Sequence, residues 1–351
     1  MTVHLFGNAP SPAIATFGLR HTADDGEETF GKETSQFVHR NFYVDDGLSS
    51  RPTANRDVNL LRDAQAMLAT ANIRLHKVVS NEVAVMEAFP AEDPAKSISD
   101  LDLRCSVLPT QRSFGVHWDI EKDCFIFRVS LPEKPFTGRG VLSIVNSVYD
   151  PLGLASPVIL EGKLILQELV IMGKKMKDKS ALSWDDPLPE NMSHRWDRWR
   201  RALPHFENVS IPRCYHPIGF RFVKRREIHA FADASKEAIG TAVYLPEINT
   251  EGDISVSLLF GRSKIAPTHS TSIPRLELCS VVLATQAVRM VRKELHVETN
   301  KEIYYSDSNV VLGYIQNESR RLYVYVANRV QTIRNATEPS QCRFIDTTYR
   351  S

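Results

Sequence analysis

Apolar positions return at helical spacing through residues 59–73, where Leu60, Leu61, Ala64, Met67, Leu68 and Ala71 predict an amphipathic helix. Ahead of it, residues 37–44 are rich in Phe, Tyr and Val and stop at Asp45-Asp46-Gly47, which predicts strand, tight turn, strand with two acids at a hairpin tip. Residues 101–129 predict short strands, Phe125 and Phe127 alternating against Ile126 and Arg128. Between 132 and 203 the pattern is helical again, with Leu142, Val145 and Val148, then Leu164, Ile165, Glu168, Leu169 and Met172, in helices broken by Pro151 and Pro157.

After Pro212 the period changes. Strands are predicted at 227–232, 240–245 and 254–260, separated by turn-rich stretches, and three in succession suggest an antiparallel meander. A long helix follows over about 274–295, with Thr271 and Ser272 as candidate caps and Pro274 in its first turn. A strand at 302–306, helices near 310–315 and 324–333 and a last strand at 342–345 complete the order βββαβααβ. At the other end, residues 5–12 read as a loop entering a helix with no element before it, so the chain is expected to start inside a domain.

Length and composition add bounds. A chain of 351 residues exceeds one ordinary core and suits two domains, or one and an incomplete second. Lys and Arg number 43 against 42 Asp and Glu, so any surface for a polyanion must come from local segregation of charge. Segregation of that kind occurs at Lys174, Lys175, Lys177 and Lys179 and at Arg195, Arg198, Arg200 and Arg201 around Trp196 and Trp199, which read equally as a solvated helix face or a phosphate-contacting one. The five cysteines are widely spaced with no CxxC pair, and no apolar run approaches bilayer length, so reduced thiols, no zinc and an intracellular site without a membrane are expected.

Three acids stand where chemistry is expected. Asp233 ends a predicted strand on the face of Phe231 and His229; Glu277 opens the stripe Val281, Ala284, Val288, Val291 and Leu295; Asp307 ends a strand on the face of Tyr305 and Ile303. Singly, each reads more readily as a rim position, cap or ion pair. Carboxylates converging from two strand ends and a helix would repel one another, so a fold that gathers them should supply cations. Oxygen-only ligands favour Mg²⁺ or Mn²⁺, and two such ions about 4 Å apart can activate water and stabilise the leaving oxygen in phosphodiester cleavage.

The order Phe231-Ala232-Asp233-Ala234-Ser235, Ile273-Pro274-Arg275-Leu276-Glu277-Leu278 and Tyr304-Tyr305-Ser306-Asp307-Ser308 resembles a retroelement RNase H, in which these acids are the first three metal ligands. Tyr43-Val44-Asp45-Asp46 resembles the YxDD hairpin of reverse transcriptases, whose first Asp is the essential metal ligand and whose second is a supporting acid. Phe6-Gly7 with Ser11-Pro12 resembles that family's template and nucleotide-contacting segment, and Phe114-Gly115-Val116-His117-Trp118-Asp119 the hairpin that holds the primer end. Leu142-Ser143-Ile144-Val145, the run Tyr149 to Pro157 and Trp184-Asp185-Asp186-Pro187-Leu188-Pro189 resemble the connector of BEL/Pao-type LTR retrotransposons, and the likeness runs over nearly the whole chain.

The resemblance implies an α/β and α+β chain in three parts: a partial reverse-transcriptase palm over 1–131, a helical thumb or connection region over 132–215, and an RNase H-like mixed sheet with flanking helices over 216–351. It implies two Mg²⁺ or Mn²⁺ ions per active site, at Asp45 and Asp46 and at Asp233, Glu277 and Asp307. Implied partners are an RNA:DNA hybrid, an RNA template with a DNA primer, and other Pol products or a second copy. Phe6, Gly7, Ser11, Phe114, Gly115, Lys174, Lys175, Lys177, Arg198 and Arg201 are the expected nucleic-acid contacts. A further palm Asp lies upstream in the family, and a fourth RNase H acid lies in a helix after the last strand, so a chain truncated at both ends and inactive as a polymerase is expected; Asp346 is not assigned as that fourth ligand. Three readings stay open: a retroelement polymerase and ribonuclease H, a dead relic kept as a nucleic-acid-binding or interaction module, and an unrelated two-domain metal-dependent phosphohydrolase.

Overall fold

The computed structural model describes residues 10–43, 46–89, 100–102, 115–129, 131, 133–148, 150–175, 184–217, 219–267, 271–295 and 297–346. The chain divides into two compact units, Met1–Gln111 with Val116–Ile126, and Arg112–Gly115 with Phe127–Ser351.

In the first unit α1 (Ser11–Phe30), α2 (Lys32–Arg40) and α3 (Ala54–Ala69) share a core of Ala23, Phe37, Val38, Leu60, Ala64, Met67 and Leu68. The α3 residues recur every three to four positions, so a single stripe is buried while Arg56, Asp63 and their neighbours stay wet. Two short strands, β1 (Phe42–Tyr43) and β2 (Asp46–Gly47), pair antiparallel with Tyr43 opposite Asp46. A one-turn helix, α4 (Val83–Glu87), and strands β3 (Asp100–Asp102), β4 (Gly115–Asp119) and β5 (Cys124–Arg128) follow. β3 pairs antiparallel with β4, Leu101 opposite Trp118.

One expected element changes type. Residues 37–40 belong to α2, where Thr34, Ser35, Phe37 and Val38 are buried together at helical spacing, so packing onto α3 overrides the strand preference of Phe and Val. Among the described residues of that stretch, only Phe42 and Tyr43 are extended.

The second unit opens with connector helices α5 (Gly138–Ser147), α6 (Ser156–Lys175) and α7 (Glu190–Ala202), a 3-10 turn at Leu203–Asn208 and strand β6 (Ser210–Pro212). Pro157 does not break a helix but occupies the first turn of α6, where its missing N–H costs nothing. Val141, Ile144, Val145, Ile165, Met192, Trp196, Trp199 and Leu203 close the helical core.

Strands β7 (Val223–Ala234), β8 (Ala238–Asn249) and β9 (Ile254–Ile265) form the expected antiparallel meander, each longer than its apolar pattern. Helix α8 (Ile273–Leu295), strand β10 (Lys301–Ser306), helices α9 (Asn309–Gln316) and α10 (Val324–Arg334) and strand β11 (Cys342–Phe344) complete a five-stranded sheet in the order β11-β10-β7-β8-β9. β10 runs parallel to both β7 and β11, so the sheet is mixed. Ile228, Ala230 and Ala232 of β7 meet Leu278, Val281, Ala284 and Val288 of α8 in one core. Truncating a fully buried member such as Leu278 to Ala would cost about 2–5 kcal/mol.

The connector and the sheet lie in the same unit and are joined by backbone contact. Gly261 of β9 donates its N–H to the Leu152 carbonyl at 2.9 Å, and Gln167 of α6 donates to the Ala266 carbonyl at 3.0 Å. Gly153, at φ +74°, lies so close to Gly261 that a Cβ there would sit 1.7 Å from the Gly261 oxygen. Asp150 fixes this turn by accepting from the N–H groups of Leu154 and Ala155 at 2.9 and 2.8 Å. Burial raises its carboxyl above the ordinary value, against the pull of those N–H groups.

Candidate metal centre

The parallel register of β7 and β10, with Tyr305 beside Phe231, brings the ends of both strands side by side. Asp233 is the penultimate residue of β7, and Asp307 follows β10 directly. Glu277 sits in the second turn of α8, on the stripe that packs against the sheet. Carboxylate oxygens of Asp233, Glu277 and Asp307 lie within 4.8 Å of one another.

Burial differs among the three. Glu277 is 6% exposed, Asp307 half-buried and Asp233 exposed. Of the three only Glu277 lies within the core, while the two aspartates stand at strand ends. Local bonds fix the turns that carry them: Asp233 Oδ1 accepts from Ala234 N at 2.9 Å, and the Ser308 N–H donates to Ser306 Oγ at 3.2 Å before the Ser308 hydroxyl caps α9. Ser280 Oγ donates to the Glu277 carbonyl at 2.7 Å.

On the Asp233 face of the sheet, Phe231 stacks on Tyr305 with centroids 4.8 Å apart and planes 15° apart. Behind them His229 bonds Glu227 at 2.8 Å, and Arg225 lies 3.1 Å from the same carboxylate. Asp233, Phe231 and Tyr305 line a groove of about 680 Å³ with Arg262 of β9 and Leu154 and Pro157 of the connector. A donor set of three carboxylates, all oxygen, one of them buried, fits a hard divalent cation better than zinc.

Other expected contacts are scattered. Ser11 is buried in the first turn of α1, Gly115 opens β4, and Asp46 is exposed on β2. Phe6, Gly7, Asp45, Phe114 and Lys177 lie outside the described residues, as do the side chains of Lys174 and Lys175 at the end of α6. Arg195 is engaged within the connector: it bonds Glu161 at 2.7 Å and also Glu168, and these pairings hold its guanidinium above its ordinary pKa. Arg198 and Arg201 are exposed.

The sequence reading missed one group beside Glu277. Arg275 and Arg329 lie 5.1 and 3.5 Å from the centre of the Tyr325 ring, and Arg329 Nε donates to Cys279 Sγ at 3.2 Å. Its signal was the i,i+4 pairs Arg275/Cys279 on α8 and Tyr325/Arg329 on α10, unreadable as one cluster without the packing of the two helices. The four described cysteines are free thiols, and among the described residues no helix is long and apolar enough to cross a membrane.

Residues 137–308 match the family of the Pao retrotransposon-like RNaseH-like domain, a span that holds the connector helices and all three acids. No curated protein matches the chain. Among solved structures, the foamy viral protease-reverse transcriptase dRH in complex with ds DNA is 12% identical with a TM-score of 0.49, over 96% of this chain and 49% of that one. The chain thus spans about half the length of that viral protein. RNase H1 from the halophilic archaeon Halobacterium salinarum NRC-1 is 8% identical over 35% of this chain and 87% of its own, with a TM-score of 0.24. LC11-RNase H1 in complex with RNA/DNA hybrid is 11% identical over 34% and 83%, also with a TM-score of 0.24. With the βββαβααβ order, the mixed sheet and the family match in agreement, residues 137–308 belong to the Pao retrotransposon-like RNaseH-like family, and the second unit carries that RNase H-like domain.

Proposed function

We propose that Asp233, Glu277 and Asp307 hold divalent metal, two Mg²⁺ or Mn²⁺ ions, and that the second unit hydrolyses the RNA strand of an RNA:DNA hybrid. The observation that carries this reading is the approach of the three carboxylates to within 4.8 Å, from two strand ends and one helix. Bound there, such ions would polarise the scissile phosphate and lower the pKa of an attacking water. Glu277, buried and fixed by α8, supplies the least mobile ligand; Asp233 and Asp307 face outward, where a phosphodiester can reach them.

The likeness of Tyr43-Val44-Asp45-Asp46 to a polymerase hairpin supports a second reading, reverse transcriptase ancestry for the first unit, and the antiparallel pairing of Tyr43 with Asp46 favours it. DNA synthesis in that reading needs a further metal-holding acid beside Asp45 and Asp46.

The test is hydrolysis of a hybrid labelled on its RNA strand, with the full chain in Mg²⁺. Cleavage of RNA but not DNA, abolished by chelator and reduced at least about 100-fold by Asp233→Asn, is expected. A wild-type chain that binds hybrid and leaves it intact would instead favour the binding-module reading.

A further inference from the structure

Helix α7 has two unlike faces. Trp196 and Trp199 are 3% and 4% exposed in the connector core, and the Trp199 indole donates to the Val158 carbonyl at 2.8 Å. With Arg195 tied to two glutamates of α6, the helix is fixed in rotation as well as position. Away from that core, His194, Asp197, Arg198 and Arg201 recur at i, i+3, i+4 and i+7, and His205 continues the row on the following 3-10 turn. Together they line a shallow concavity of about 360 Å³.

Among the described residues, no hydrogen bond or ion pair engages the side chains of His194, Arg198, Arg201 or His205, although Asp197 shares the concavity. Arg195, one turn away, shows what a cation on this helix does when its role is structural: it takes two carboxylates. Two guanidinium groups and two imidazoles held on a rigid face, against one carboxylate, form a row of donors with nothing yet to donate to. Arg forks match phosphate oxygens, and a helix rises about 1.5 Å per residue, so 194–201 alone covers about 10 Å, against one phosphate per strand for about every 3.4 Å of duplex axis.

We propose that His194, Arg198, Arg201 and His205 bind the phosphate backbone of a nucleic-acid strand. Choosing nucleic acid as the polyanion rests on the function proposed above; the cation row does not. In a chain whose charges balance overall, this is a local segregation of the kind a phosphate-binding surface requires.

The test is binding of a fluorescent RNA:DNA hybrid by the full chain in chelator, across about 50–200 mM salt. Arg198→Ala with Arg201→Ala should weaken binding about tenfold or more at the lowest salt and reduce the salt slope by about two, with an unchanged melting temperature. Lys at both positions should restore most of the slope. Equal affinity and slope in wild type and the Ala pair, or displacement of hybrid by polyglutamate as readily as by unlabelled hybrid, would overturn the proposal. Because metal is absent, loss of cleavage in the hydrolysis assay leaves these measurements untouched, and the two readings fail separately.

Discussion

Glu227 shows how the open face of the sheet is held beside the acid cluster. Burial pushes its carboxyl up, but the hydrogen bond from His229 and the charges of Arg225 and Lys301 outweigh that and leave the pKa below the ordinary glutamate value. A depressed folded pKa means stability that is present above the unfolded value, about 4.3, and is lost as pH falls through the folded one. Glu227→Gln should therefore destabilise the chain near neutral pH, and the gap in melting temperature from wild type should close on acidification below about pH 4. A gap that stays constant down to pH 3 would contradict the assignment. The acid cluster itself was legible residue by residue because Asp233 and Asp307 end apolar strands and Glu277 interrupts an apolar stripe. Their exposure was not, since alternation assigns a side chain to a face without saying what covers that face.

At the scale of elements, α8 was readable because Val281, Ala284, Val288 and Val291 keep one face apolar over its length. β9 was read short. Its last residues, Gly261 to Ile265, lack an alternating pattern, yet they continue the ladder with β8, Gly261 opposite Ala242 and Lys264 opposite Ile239. Gly261 is there for the connector rather than for the strand, since it meets Gly153 backbone to backbone. Gly153→Ala would place a Cβ against the Gly261 carbonyl and force a positive φ on Ala, at a cost of roughly 1–3 kcal/mol. The melting temperature should fall by several degrees, whereas no change would mean that the connector is not seated on β9 as described.

Across the whole molecule, the second unit joins connector and RNase H-like sheet in one body, and the family match over 137–308 spans both. Long-range packing of this kind leaves little local trace: Leu152 and Gly261, or Arg275 and Tyr325, are far apart in sequence and meet only once the sheet and helices are assembled. What the assembly accomplishes is to bring three carboxylates from separate elements to one point, where without a cation they repel. Calorimetric titration of Mn²⁺ into the full chain, with Asp233→Asn and Asp307→Asn beside it, tests that directly. Saturable binding by wild type, weakened at least about tenfold in each variant while both remain folded, is the predicted result. Wild-type binding that neither substitution alters, or no binding at millimolar Mn²⁺, would contradict a metal centre at these residues.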